Sequence, residues 1–466
     1  MKVIVKKSNI SGIIQCPSSK SYSHRALIIS SLAVGRSLLK NVLLSRDTRA
    51  TMNCCKMLGV DLKMSSSNNF EKNIDNVTVS SKGGHDGFST PNDVLPADNS
   101  GTTIRLLTSA CALVPQGYSV LTGDDSLRKR PMGDLIKSLN QLGVNCFSAN
   151  SNYLPPVIVK GGGIEGGITQ ISGQTSSQFI SSLLLSGIFS KKGITIQVLG
   201  KQVSKPYIES TLHVMKYFGV DIQKERTVLD YQKSNKQKSF GNLGQDVANP
   251  VTEEYFIPPN LEYNAENFTV PGDFSTASLL MSAAFLSKGH LTINGLDFDV
   301  PQGDMAIIDI IREMGGQIHV DKLNGSVKVD GNCRLHGGIF DLTKTPDLLP
   351  VLAVLSLVAN GETQIEGISH ARFKETDRVA NVATQLSKFG ASINEKVDSI
   401  RIQSPSHIKS AKVESFNDHR LFMAFAIAGL ATENSSIEGA ESVDVSYPQF
   451  VDDLKGLGAN IQFLER

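Results

Sequence analysis

The sequence predicts an α/β protein (α+β in its mix of helices and hairpins), with 466 residues in two domains. Three observations predict it. A short glycine-centred motif recurs six times. An apolar helix with a polar start alternates with that motif. One long polar segment separates the third copy from the fourth.

The first recurring element is an apolar residue, Gly, a small residue, a polar residue and an apolar residue. It reads "LGVDL" (58–62), "LGVNC" (142–146), "FGVDI" (218–222), "MGGQI" (314–318), "FGASI" (389–393) and "LGANI" (457–461). Each copy follows an amphipathic pattern. The spacing therefore predicts helix, glycine cap, then strand, because glycine enters the left-handed region without strain. The glycines are Gly59, Gly143, Gly219, Gly315, Gly390 and Gly458, at intervals of 84, 76, 96, 75 and 68 residues.

The second element is the apolar helix. Its six starts lie in "SSKSYSHRALIISSL", "NSGTTIRLLTSACAL", "TSSQFISSLLLSGIF", "DFSTASLLMSAAFL", "TPDLLPVLAVLSLVA" and "NDHRLFMAFAIAGLA". A strand pattern such as "GITIQVLG" follows each. The chain thus reads as six copies of a unit with two helices and several strands. A one-dimensional solenoid is the rival reading, but units of roughly 70–95 residues exceed the usual ~20–50. The longest interval holds residues 224–267, rich in Lys, Gln, Asn and Pro. It reads as an insertion near a domain crossover, with three units on either side.

Composition narrows the function. The chain is 40% hydrophobic and 20% charged, with formal net charge +1. That balance gives no global field for nucleic acid or membrane. No apolar run reaches the ~18 residues of a membrane span, and the start "MKVIVKKSNISG" is no signal peptide. A cytoplasmic monomer acting on small molecules is expected. The six cysteines form no C-x-x-C pair and no zinc spacing with histidine, so no disulfide and no metal site are expected.

Local clustering must then supply any anion site. Six polar helix starts could aim free N–H groups and helix dipoles at one interdomain cleft. Lys20 and Arg25 lie at the first start, Arg105 in the second and Arg420 in the sixth, while Arg378 closes "FKETDR". Arg128 and Arg130 lie in "GDDSLRKRPM". A cation near a helix N-terminus opposes the dipole, which a bound phosphate or carboxylate can offset. Ser19, Ser21, Asn99, Ser176, Ser177 and Gln178 add hydrogen-bonding groups for a hydroxylated anion, and Gly101 allows close backbone approach. Each serine alone also reads as a plain N-cap. The acid–base candidates are Asp347, at the start of a very apolar helix, and Glu375, between Lys374 and Arg378. Glu375 and Arg378 also fit a plain ion pair on a helix face. His24 receives no role beyond packing or capping.

The motifs "PSSKSYSHR", "DNSGTTIR", "LRKRPM", "SSQF", "SKPYI", "TPD", "FKETDR" and "NDHR", in that order, resemble the 5-enolpyruvylshikimate-3-phosphate (EPSP) synthases, or 3-phosphoshikimate 1-carboxyvinyltransferases, of the enolpyruvyl transferase family. The resemblance implies a two-domain inside-out α/β barrel of six βαβαββ units, three per domain. Residues 16–240 would form the N-terminal domain, chiefly binding shikimate 3-phosphate. Residues 1–15 with 241–466 would form the C-terminal domain, carrying the acid–base groups and binding phosphoenolpyruvate. The family reaction transfers the enolpyruvyl group of phosphoenolpyruvate to the 5-hydroxyl of shikimate 3-phosphate and needs no cofactor. By motif position, shikimate 3-phosphate would meet Lys20, Ser21, Arg25, Ser176, Ser177, Gln178, Ser204, Tyr207, Asp347 and Lys374. Phosphoenolpyruvate would meet Lys20, Gly101, Arg130, Gln178, Arg378 and Arg420, with Asn99 lining that side. Lys20, Asp347 and Glu375 would be catalytic: Asp347 as base for the 5-hydroxyl, Glu375 and Lys20 at the phosphoenolpyruvate carbon.

Three positions depart from the common pattern. His370 stands where many members have Asn, Val445 where many bacterial members have a lysine, and Leu106 where many have Pro. The last neighbours the glyphosate-sensitive part of the family site. The related transferases acting on UDP-N-acetylglucosamine usually carry a cysteine in the loop matching "GDDSLRKRP", which has none here. A non-catalytic anion-binding repeat protein would not need Lys20, Asp347 and Glu375 together.

Overall fold

The computed structural model describes residues 1–69, 72–222, 224–227 and 251–464. Contacts divide the chain into two compact units. A terminal unit comprises Met1–Ser23, Asn41–Arg49 and Thr269–Arg466, and a central unit comprises His24–Lys40 and Ala50–Phe268.

Among the described residues the strands form six four-stranded sheets and one two-stranded sheet. The four-stranded sheets share one plan, clearest in the central unit. Gly167–Ser172 pairs parallel with Ile194–Leu199, which pairs antiparallel with Val251–Ile257, which pairs antiparallel with Lys224–Thr227. Numbered along the chain, that is the order 1-2-4-3. Strands Leu95–Pro96, Tyr118–Thr122, Cys146–Ser148 and Val157–Lys160 repeat it, as do Ile339–Asp341, Glu362–Glu366, Ser392–Glu395 and Ser399–Gln403 in the terminal unit. The polar stretch that reads as an insertion from sequence is therefore partly sheet, because Lys224–Thr227 and Val251–Ile257 are paired strands. Residues 228–250 lie outside the described residues.

Three sheets are completed from distant parts of the chain, one of them by Phe268–Thr269 beside Val34–Lys40. Ser11–Gln15 leads toward the Lys20–Leu32 helix but pairs parallel with His290–Asn294. Lys2–Lys6 lies between Ser435–Glu438 and Asn460–Leu464, antiparallel to both. Its alternation explains the placement, since Val3 and Val5 are fully buried while Lys2, Ile4 and Lys6 are only partly covered.

Each sheet has one inward face, and apolar helices fill the interior. Every residue of the helices Phe274–Ser287, Leu349–Leu355 and His419–Gly429 is buried, and the three touch one another. The apolar helix read near 348–359 is shorter than its hydropathy, ending at Leu355 before Ala359 enters a strand. A helix buried all round must satisfy its polar side chains internally. Ser278 and Ser282 do so by donating to the carbonyls of Ser275 at 2.6 Å and Leu279 at 2.7 Å. No described helix is long and apolar enough to cross a membrane.

The six motif glycines share one conformation. Gly59, Gly143, Gly219, Gly315, Gly390 and Gly458 have φ of 98°, 84°, 90°, 86°, 101° and 103°. At Gly59 the next N–H reaches back five residues, Val60 to Cys55 at 3.1 Å, while Gly59 itself donates to Lys56 at 2.9 Å. That is a Schellman cap, and it turns each helix into its strand.

These caps predict a graded response to alanine. Gly458→Ala meets nothing closer than 3.4 Å, so it should cost only the left-handed strain, about 1–2 kcal/mol. Gly59→Ala should cost more, because its Cβ would lie 2.6 Å from Ser89 Oγ. Gly456→Ala has open space and ordinary helical φ, and should gain about 0.5–1 kcal/mol. Denaturant titration checks the order, and equal effects at all three would refute the cap assignment.

Candidate active site

In the terminal unit the geometry gathers around Arg378. It opens the helix Arg378–Lys388, which is capped by Asp377 accepting from Ala380 N at 3.0 Å. The side chain is 1% exposed. Its Nε donates to Asp418 Oδ2 at 2.7 Å, Nη1 to Asp347 Oδ1 at 2.8 Å and Nη2 to Glu375 Oε2 at 2.6 Å. Burial alone would lower the guanidinium pKa, but the carboxylates of Asp418, Glu375 and Asp347 outweigh it and raise it.

Asp347 sits in the short turn Pro346–Leu348 with both oxygens engaged. Lys374 Nζ lies 3.5 Å from Oδ1, beside Arg378, and Arg420 Nη2 lies 3.1 Å from Oδ2. Burial would raise this carboxyl, yet Arg420, Lys374, Arg378 and Lys20 hold it well below the usual range. Burial pushes the Lys374 ammonium down, a shift that Asp347 only partly offsets. Lys20, the first residue of its helix, donates to buried Asp47 Oδ2 at 3.2 Å, and half-buried Ser21 follows it.

The helix starts differ from the sequence expectation of open N–H groups. Asp418 accepts from Arg420 N at 2.9 Å and Leu421 N at 3.3 Å. Asp273 likewise accepts from Thr276 N at 3.1 Å. Two starts in this unit are thus closed by the chain's own carboxylates, because an N-cap side chain takes the N–H groups an anion would use. An anion arriving here would meet side-chain cations rather than open helix N–H groups.

In the central unit Arg25 is buried, donating from Nε to Thr211 Oγ1 at 2.7 Å and from Nη2 to Tyr207 O at 2.9 Å. This ties the Lys20–Leu32 helix to Lys205–Tyr217, whose N-cap Ser204 is left-handed at φ 54°. Ser176 caps Ser177–Gly187, accepting from Gln178 N at 3.3 Å. Arg105 Nη1 donates to Gln178 Oε1 at 2.9 Å, and Gln178 Nε2 donates to Thr102 Oγ1 at 2.9 Å. Arg130 Nη2 donates to Asn99 Oδ1 at 2.7 Å. A Cβ on Gly101 would lie 2.9 Å from Arg130 Nη1, so only glycine leaves that guanidinium in place.

The structure thus places Lys20, Ser21, Asp347, Lys374, Glu375, Arg378 and Arg420 in the terminal unit, and Arg25, Asn99, Gly101, Arg130, Ser176, Ser177, Gln178, Ser204 and Tyr207 in the central unit. Sequence reasoning passed over Asp47 and Asp418, the acids that hold Lys20 and Arg378. It also passed over Asp304, a buried acid bonded by the Ser275 hydroxyl. The available signal was an acid beside the motif arginines, as in "NDHR". His419 was overlooked too: it is buried, and among the described residues neither ring nitrogen has a hydrogen-bond partner. Burial, then the charge of Lys20, holds its pKa well below the usual value, so the imidazole is neutral. His24 is a packing residue, with Nδ1 2.7 Å from Thr51 Oγ1.

Comparison with known proteins agrees along the whole chain. The family model described as EPSP synthase (3-phosphoshikimate 1-carboxyvinyltransferase) matches residues 4–242 and 234–454. A 3-phosphoshikimate 1-carboxyvinyltransferase of Methanosphaera stadtmanae is 40% identical, over 97% of this chain and 98% of its own. One of Methanocaldococcus jannaschii is 40% identical over 99% of each. A solved EPSP synthase from Acinetobacter baumannii superposes with TM-score 0.77 at 24% identity, covering 99% of this chain and all of its own, and so shares the two-domain inside-out α/β fold. The chain belongs to the EPSP synthase family.

Proposed function

We propose that this protein transfers the enolpyruvyl group of phosphoenolpyruvate to the 5-hydroxyl of shikimate 3-phosphate, in the route to chorismate and the aromatic amino acids. The products are 5-enolpyruvylshikimate 3-phosphate and inorganic phosphate. The observation that carries the reading is the cluster in which Arg378, Arg420 and Lys374 converge on Asp347 beside Glu375. Membership of the family along the full chain supports it.

The hydroxyl oxygen forms a bond to the central carbon of phosphoenolpyruvate while a proton adds to the methylene carbon. The tetrahedral intermediate then loses that methyl proton and the phosphate C–O bond breaks. Arg130, Arg378 and Arg420 take the charges of phosphoenolpyruvate, with Gly101, Asn99 and Gln178 alongside. Ser176, Ser177, Gln178, Ser204, Tyr207, Arg25, Ser21 and Lys374 take shikimate 3-phosphate. Lys20 and Glu375 move the proton at the methylene carbon, and Asp347 takes the hydroxyl proton. The reading requires both units to act on one pair of substrates.

Asp347 is a weak base while Arg420, Lys374, Arg378 and Lys20 hold it. An incoming phosphate or carboxylate shares those cations. The Coulombic stabilisation of the Asp347 anion then falls and its proton affinity rises. Binding of the anionic substrate would therefore switch on the base that attacks with it.

Phosphate release should require both substrates and stop when either is omitted; release with one alone would overturn the assignment. Glu375→Gln should lower kcat about a hundredfold or more with little change in either KM. Near-normal turnover would remove Glu375 from proton transfer. Gly101→Ala should raise KM for phosphoenolpyruvate and spare that for shikimate 3-phosphate, because the new methyl displaces Arg130; steady-state kinetics with each substrate varied reads this.

Asp304 gives a pH signature. Burial, then the charge of Asp347, pushes its carboxyl up to about 6. A raised carboxyl binds its proton more tightly when folded, so its contribution is full below the unfolded value and is lost as pH rises through 6. Relative to Asp304→Asn, the wild type should lose about 2 kcal/mol of stability between pH 4 and 7.5. A difference that stays flat across that range would show that Asp304 does not titrate there.

A further inference from the structure

The loop that brings Arg130 to the site is tied to the start of the Gly101–Ala110 helix through one acid. Asp124 N donates to Asp98 O at 2.8 Å, and Asp98 is itself left-handed at φ 50°. The two backbones approach so closely that a Cβ on Gly123 would lie 2.1 Å from Asp98 O. Asp124 Oδ1 accepts from Leu127 N at 2.9 Å, which starts the turn Leu127–Lys129. Its other oxygen, Oδ2, accepts from Asn99 Nδ2 at 2.6 Å. The far side of the same amide, Asn99 Oδ1, accepts from Arg130 Nη2 at 2.7 Å.

We infer that Asp124 is a positioning residue: through the Asn99 amide it sets the orientation of the Arg130 guanidinium. A carboxylate only accepts hydrogen bonds and a guanidinium only donates them. Between the two, the Asn99 amide has one orientation that satisfies both ends, NH2 toward Asp124 and oxygen toward Arg130. The turned-over amide would set its NH2 against Arg130 and its oxygen against Asp124. Both contacts would be repulsive. The charge on Asp124 thus polarises the amide and strengthens the bond Asn99 makes to Arg130. Arg130 Nη2 also donates to Ser126 Oγ at 3.3 Å, and a side chain at Gly101 would crowd Nη1. The inference rests on the proposed role of Arg130 toward phosphoenolpyruvate.

Asp124→Asn keeps the shape but leaves one acceptor for two donors, Leu127 N and Asn99 Nδ2, so the charged bond that holds the Asn99 amide against Arg130 is lost. KM for phosphoenolpyruvate should rise about tenfold. The KM for shikimate 3-phosphate and kcat should hold, as expected for binding that acts equally on ground and transition states. Because Asp124 acts through Asn99, adding Asp124→Asn to Asn99→Ala should change KM for phosphoenolpyruvate no further. An unchanged KM in active Asp124→Asn, parallel loss toward both substrates, or additive effects in the double variant would overturn the inference while leaving the enolpyruvyl transfer intact. Absence of turnover by the wild-type protein with both substrates would overturn that reading and this inference together.

Discussion

The terminal unit depends on a single buried guanidinium shared by three carboxylates. Taking ions out of water costs several kcal/mol each, and only near-complete pairing recovers that cost. Arg378 achieves it by spending every arm of its fork on Asp418, Asp347 and Glu375. The pairing fixes more than one side chain. Asp418 caps the His419–Gly429 helix, so the same carboxylate that holds Arg378 also sets the position of Arg420. Asp347 then receives Arg420 and Lys374. The cations a phosphorylated substrate would meet are therefore not a bare positive field. They are already paired with carboxylates, and binding a phosphorylated ligand there would be an exchange of one set of anions for another.

The central unit uses a different device. Its helix starts are capped by neutral Ser100 and Ser176, and its arginines are oriented by amides and hydroxyls. Gln178 stands between Arg105 and Thr102, as Asn99 stands between Arg130 and Asp124. Amides suit this work because they accept at one end and donate at the other. Charge is thus spent sparingly in this unit and heavily in the terminal one.

Much of the architecture was legible because it rests on local rules. The six glycines announce left-handed caps through a requirement no other residue meets cheaply, and all six have that conformation. The motif arginines and Lys20 were visible as cations in the wrong place for an isolated helix. Their partners were not. Asp47 lies 27 residues from Lys20, and Asp418 lies 40 from Arg378, so nothing in the local pattern pairs them. The N-cap role of Asp418 was hidden for another reason: "NDHR" drew attention to its arginine, while its aspartate decides whether the helix start is open. The 224–267 stretch misled because a polar composition can still form an edge hairpin. Lys224–Thr227 is such an outer strand, paired on one side only among the described residues.

The pairing of Lys2–Lys6 bears on how the chain can be made. That strand is synthesised hundreds of residues before both its neighbours, Ser435–Glu438 and Asn460–Leu464. Ser11–Gln15 likewise waits for His290–Asn294. Contacts this far apart carry a large entropic cost of closure and form slowly. A ribosome-bound chain made only as far as Glu414 would hold Lys2–Lys6 unpaired, with Val3 and Val5 uncovered, although Ser11–Gln15 could already meet His290–Asn294. The central unit closes earlier, its longest wait being that of Val34–Lys40 for Phe268–Thr269. Vectorial synthesis would thus complete the central unit before the terminal one, with Lys2–Lys6 depending on chaperone protection or on its own charges, Lys2, Lys6 and the adjoining Lys7, to stay soluble meanwhile.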